Sequence, residues 1–174
     1  IEKKSQPRSK FEKDVLRDFT FPCIKSQRLD ELERLGAELH QCDFDRREDV
    51  DILIRAIQRG HHRLRGIIHN ASQWVGDDAD VPFNEVIESM MRVHVNVPYE
   101  LNHALAPLLL ACREGHADII HIGDYVSSRG SSKHIAYAAS KAAVESITQI
   151  LSRELGGHGI TVNAVGPTPV KTDL

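Results

Sequence analysis

Tyr137 and Lys141 stand four residues apart in IAYAASKAAVES, a stretch with helical periodicity. Four residues advance an α-helix by just over one turn, so the phenol and the ammonium share a face and can act on one point. A neighbouring positive charge favours phenolate over phenol and is expected to draw a tyrosine down from its usual value near 10. A tyrosine tuned in this way can hand a proton to a carbonyl or imine as that group is reduced. Such a pair on an exposed helix is common and says little alone. Its setting says more. Ile119, Ile120 and Ile122 read as a buried strand, and the loop GDYVSSRGSSKH joins that strand to the helix.

Tyr137-Ala-Ala-Ser-Lys141, the amphipathic helix after it and Val162-Asn163-Ala164-Val165 together resemble the short-chain dehydrogenase/reductase family, over roughly His40 to Leu174. The resemblance implies one Rossmann-like α/β domain, a doubly wound parallel sheet that uses NADPH or NADH. Most members carry a serine thirteen residues before the tyrosine; here that place holds Asp124, which is similar to the pteridine reductase branch. Asn70-Ala71-Ser72-Gln73-Trp74 resembles the segment in which Asn70, Ala71 and Ser72 pass beneath the cofactor ribose, with Ser72 and Trp74 over the nicotinamide and a pterin. Asn96, in VHVNVPY, matches the asparagine that joins tyrosine and lysine in the family's proton relay. Pro167 and Thr172 match the segment that binds the nicotinamide carboxamide, although Thr168 departs from the usual glycine. Asp43 matches a place that holds the adenine end of the cofactor.

The activity this implies is NADPH-dependent reduction of a dihydropterin, with Tyr137 as proton donor helped by Asp124. Lys141 would lower the tyrosine pKa and hold the nicotinamide ribose. NADPH is favoured over NADH, and Lys25 and Arg28 are candidates for its 2′-phosphate by position only. A homodimer or homotetramer is also implied. Two other readings stay open: a carbonyl or alcohol oxidoreductase in which Asp124 is incidental, and a non-catalytic binding or oligomerisation module. Each residue has a plainer role beside the catalytic one. Asp43 could be a turn or capping aspartate, Trp74 a partly buried packing residue, and Asp124 a loop carboxylate capping backbone N–H groups. Asn96 could mark a helix boundary ahead of Pro98.

The 174 residues are enough for one domain with a proper core, here expected to span 1–174 with 1–27 poorly assigned. A hydrophobic share of 41%, a charged share of 27% and a net charge of −3 are ordinary for a soluble protein and give no reason to expect nucleic acid or anionic membrane as partner. Cys23, Cys42 and Cys112 are odd in number and lack a Cys-x-x-Cys pair, which suits a reduced, cytoplasmic protein. The ten histidines show no metal-ligand spacing, so no metal is expected.

The elements that must position the chemistry follow from periodicity. Leu29 to Leu35 reads as a short helix stopped by Gly36, and Ala37 to Phe44 alternates like a strand. Glu48 to Arg59 reads as a helix with Val50, Leu53, Ile54 and Ile57 on one face, and Leu64 to Asn70 as a short strand. Val81 to Gly115 is mostly helical, Ala142 to Leu155 continues the catalytic helix with Val144, Ile147, Ile150 and Leu151 inward, and Ile160 to Val165 is the last strand. No glycine precedes Gly36, so the glycine-rich turn that cradles a dinucleotide diphosphate is missing, and the fold is expected to be incomplete at both ends.

Overall fold

The structure, a computed structural model, describes residues 29–77, 80–112 and 116–169. The chain divides between Gln41 and Cys42 into two compact units. In the first, 29–34 are helical and Gly36, at φ +87°, supplies the left-handed stop that its position predicts. The strand expected over Ala37 to Phe44 is not formed: 37–43 carry no ladder among the described residues, and 44–45 turn. Alternation selects a face, but a strand also needs a neighbour to bond, and 37–41 lie exposed.

The second unit runs α1 (Arg47–Gly60), β1 (Gly66–His69), α2 (Phe83–Met91), a π-helical turn (Arg92–Asn96), α3 (Val97–Leu110), β2 (Ala117–Ile122), α4 (Val126–Arg129), α5 (Ile135–Gly156) and β3 (Ile160–Val165). The strands form a parallel sheet in the order β1-β2-β3, with Ile67 beside Ile119 and Ile119 beside Val162. Parallel neighbours need long crossovers, and α2–α3 and α5 supply them. One sheet face, carrying Ala117, Ile119, Ile160 and Val162, packs on Leu109 of α3 and Leu151 of α5. Val50 and Ile54 of α1 bury against Val97, Leu101 and Leu105. A third cluster sets Val86 and Met90 of α2 against Val126, Ala136 and Tyr137, and so provides the floor beneath the tyrosine.

Two local details depart from periodicity. Pro98 does not end the helix. Its missing N–H and its ring are incompatible with a normal bond to the carbonyl four residues back, and the π-helical turn immediately before it absorbs that conflict. Ile150, expected inward, is 51% exposed. The buried stripe of α5 instead runs through Tyr137, Ser140, Lys141, Val144, Thr148 and Leu151, which leaves Ile150 on the far flank. No helix among the described residues is long and apolar enough to cross a membrane. Cys42 and Cys112 are both free thiols.

Candidate active site

The C-terminal ends of β1, β2 and β3 meet at one edge, which is where open α/β sheets bind ligands. Asn70 to Trp74 leave β1 there, Gly123 and Asp124 leave β2, and Gly166 and Pro167 leave β3. The Gly123 N–H bonds the Val165 carbonyl at 2.8 Å and carries the β2–β3 ladder to this edge. The start of α5 is anchored from a distance. His134 gives α5 no side-chain cap, and the Asp77 carboxylate instead accepts from the Ile135 N–H at 3.0 and 2.8 Å. Asp77 in turn donates its own N–H to the Lys133 carbonyl at 2.8 Å.

Against this frame Tyr137 is 5% exposed, and its hydroxyl donates to Asp124 Oδ2 at 2.7 Å. The other Asp124 oxygen accepts from the Val126 N–H at 3.0 Å, so the carboxylate caps the first turn of α4 and engages the tyrosine at once. Trp74 is 57% exposed; its ring centroid lies 4.5 Å from Tyr137, edge-on, and 4.2 Å from His134. The indole is therefore an open wall beside the phenol and not a core packing residue. Lys141 is 2% exposed, and its Nζ donates to the Ile122 carbonyl at 2.9 Å and lies 5.6 Å from the centre of the Tyr137 ring. Burial pushes the ammonium down in pKa, opposed by the Asp124 charge.

The expectation that Lys141 draws Tyr137 down is corrected here. The phenol is pushed well above its ordinary range, first by burial and then by the hydrogen bond and charge of Asp124, with the Ser72 hydroxyl acting in the opposite direction. The ammonium lies over the ring and spends a donor on Ile122, while a carboxylate touches the oxygen itself. Tyr137 is accordingly held as a phenol at neutral pH, the form that can give a proton away.

Residues 25–174 match the short chain dehydrogenase family. The chain belongs to that family. It is 43% identical over 140 residues to a dihydromonapterin reductase of Escherichia coli and 45% identical over 140 residues to one of Klebsiella pneumoniae; each comparison covers 80% of this chain. The chain spans 58% of the length of these curated relatives. Among solved structures, an RhlG/NADP complex from Pseudomonas aeruginosa is 26% identical with a TM-score of 0.68, covering 76% of this chain and 53% of that one. A short chain dehydrogenase from Escherichia coli complexed with NADPH is 30% identical with a TM-score of 0.61, covering 75% and 52%.

Within this short-chain dehydrogenase frame, the structure brings Asp124, Tyr137, Lys141, Ser72 and Trp74 together. Asn70 and Ala71 lie exposed at the same edge, and Pro167 sits half-buried just past β3. Asn96 closes the π-helical turn, is exposed, and makes no hydrogen bond to Tyr137 or Lys141 among the described residues. Asp43 has the plainer role: its Oδ1 accepts from the Asp45 N–H at 3.0 Å, and its own N–H donates to Asp49 at 3.2 Å. Thr172, Lys25 and Arg28 lie outside the described residues. Among those residues no group of three His, Cys, Asp or Glu side chains could hold a metal ion.

Periodicity missed a buried polar layer. His94 Nε2 accepts from the Gln73 N–H at 3.1 Å and lies 3.0 Å from Ser72 Oγ, while its Nδ1 meets Ser140 Oγ at 2.8 Å. Deeper, His69, Asn102, His121 and Thr148 link in series at 2.7, 3.3 and 2.8 Å. Thr148 spends its hydrogen on the Val144 carbonyl at 2.7 Å, so it accepts from His121 Nδ1–H. His121 Nε2 is then an acceptor for the Asn102 amide, and His69 Nε2 donates to the Asn102 oxygen. Burial holds His121 neutral with its pKa at about 4, and the nearby His69 adds to that shift. His69 is lowered by burial as well, against the Asn102 bond.

Proposed function

We propose that this chain carries the catalytic centre of an NADPH-dependent reductase of a dihydropterin. One observation carries the reading: a buried tyrosine donates a hydrogen bond to an aspartate at 2.7 Å, where a serine is usual in the family, with an exposed indole beside the tyrosine. The printed names of the relatives, dihydromonapterin reductases at 43–45% identity, agree with it.

The residues present fit the nicotinamide half of the cofactor. Lys141 has three N–H donors but only one hydrogen bond among the described residues, to Ile122, although it is 2% exposed. Its remaining donors suit the ribose hydroxyls, and Asn70 and Ala71 border the same edge. A reduced nicotinamide held there by Lys141, Asn70 and Ala71 would supply the hydride for the carbon of a pterin C=N bond. The chain's own residues do the rest. Trp74 offers its face to a flat heterocycle. Tyr137 turns its O–H from Asp124 to the ring nitrogen and releases the proton, so C=N becomes CH–NH. Asp124, which accepts that hydrogen in the resting site, can in turn receive an N–H of the pterin, which serine does less well. The ammonium of Lys141 offsets the phenolate charge.

Replacing Tyr137 by Phe tests the reading. Turnover of a dihydropterin with NADPH should fall by roughly 10²- to 10⁴-fold, with NADPH binding retained by fluorescence titration. Undiminished turnover, or faster turnover of simple ketones than of dihydropterins by the parent protein, would overturn it.

A further inference from the structure

His94 lies in the π-helical turn, 4% exposed, with its ring edge-on to Tyr137 at 5.6 Å. The proton on this ring can be placed. A main-chain N–H can only donate, so the 3.1 Å contact from Gln73 makes Nε2 a bare acceptor and puts the hydrogen on Nδ1. That hydrogen goes to Ser140 Oγ at 2.8 Å, because Ser140 spends its own hydrogen on the Tyr137 carbonyl at 2.8 Å. The ring thus ties the segment leaving β1 to the second turn of α5, and its contacts to Gln73 and Ser140 each have a defined direction. Ser72 Oγ is the second neighbour of the same Nε2, at 3.0 Å. One lone pair cannot serve two donors fully, so the Ser72 hydrogen is not fully committed to His94, and the Ser72 hydroxyl also acts on Tyr137, lowering its pKa by hydrogen bonding.

We propose that His94 is a positioning residue: it pins Ser72 beside the catalytic helix so that the Ser72 hydroxyl can donate to the Tyr137 oxygen once the tyrosine has released its proton. The inference rests on Tyr137 being the proton donor. The leaving proton goes to the substrate nitrogen, and Ser72 O–H then bonds the phenolate oxygen without transferring its own hydrogen. This gives the phenolate a donor whose effect runs opposite to that of the Asp124 charge. Burial and the Lys141 charge hold the His94 pKa at about 3, so the pin keeps one tautomer throughout the working pH range.

Three variants separate the two ends of the ring. The amide of His94→Asn reaches the Nδ1 position and bonds Ser140; the amide oxygen of His94→Gln reaches the Nε2 position and accepts from Gln73; His94→Leu does neither. The Gln73 amide should exchange slowly with solvent deuterium in the parent and in His94→Gln, and quickly in His94→Asn and His94→Leu. In dihydropterin reduction, kcat should fall roughly 10- to 100-fold in His94→Asn and His94→Leu and largely recover in His94→Gln, with the KM for NADPH unchanged. Parental turnover by His94→Asn, or a Gln73 amide that exchanges as fast in the parent as in His94→Asn, would overturn the proposal. If His94→Leu does not fold, the conservative pair carries the test. Tyr137→Phe is assayed alongside. If Tyr137→Phe is inactive while His94→Asn is unimpaired, this inference alone falls; if Tyr137→Phe remains active, the reading beneath it falls too.

Discussion

Acidification from pH 7 to pH 5 should weaken this fold through its buried imidazoles. In the unfolded chain a histidine binds its proton near pH 6.5, whereas folded His94 does so only at about 3. A base whose pKa is depressed by folding contributes its full stability above the unfolded value. That contribution is lost as pH falls, because the unfolded chain takes up the proton first. Integrated between pH 7 and pH 5, His94 alone costs about 2 kcal/mol. His69 and His121, also depressed, act with the same sign. Carboxylates contribute little in this window, since their ordinary values lie near 4. A urea midpoint followed by circular dichroism at half-unit pH steps would show the His94 share of the loss as roughly 1 M, within a larger total shift, given about 2 kcal/mol per molar for a chain of this size. His94→Gln removes one titrating ring, so its stability should depend on pH less steeply, by about 2 kcal/mol over the same interval. Parallel curves for parent and variant would refute the claim that His94 is neutral because it is buried.

Two further substitutions probe the frame around the site. Asp77→Ala removes the carboxylate that caps α5 and should cost about 1 kcal/mol in urea denaturation, with Asp77→Asn losing less; an unchanged midpoint would mean that the cap contributes nothing. Gly66→Ala would place a methyl 2.8 Å from the backbone oxygen of Asp118, an atom fixed in the β1–β2 ladder. The expected loss is about 1–3 kcal/mol, read from the same denaturation curves, and a neutral result would mean that β1 can shift freely.

The Tyr137–Lys141 pair was legible because helix geometry alone puts residues four apart on one face, whereas Asp124 was picked out by the family resemblance, at the place where most members carry serine, and the structure sets it against the Tyr137 hydroxyl. Direction of pKa was not legible: it depends on which charged group touches the phenol oxygen, and spacing along a helix does not determine that. The polar layer left a fainter signal. His94 falls four residues after Met90 and three before Val97, and Thr148 four after Val144 and three before Leu151, all of them buried. A polar residue at a core-facing step of the helical period must find a partner or unfold the site. Ala37 to Phe44 failed for the opposite reason, since nothing in an alternating pattern names the strand it would pair with.

The Asp77 cap also bears on the order in which the protein folds. It joins residues 58 apart in sequence, and closing a loop of that length costs about 4 kcal/mol in chain entropy before any constant term. The later turns of α5 make local contacts and can form early, but the turn that carries Tyr137 has no cap of its own. That turn is expected to consolidate only after β1 has docked beside β2 and brought the 70–77 segment into reach. Removing the cap therefore accelerates unfolding and leaves the folding rate nearly untouched. Tyr137 should then be among the last side chains set in place on folding and among the first released on unfolding.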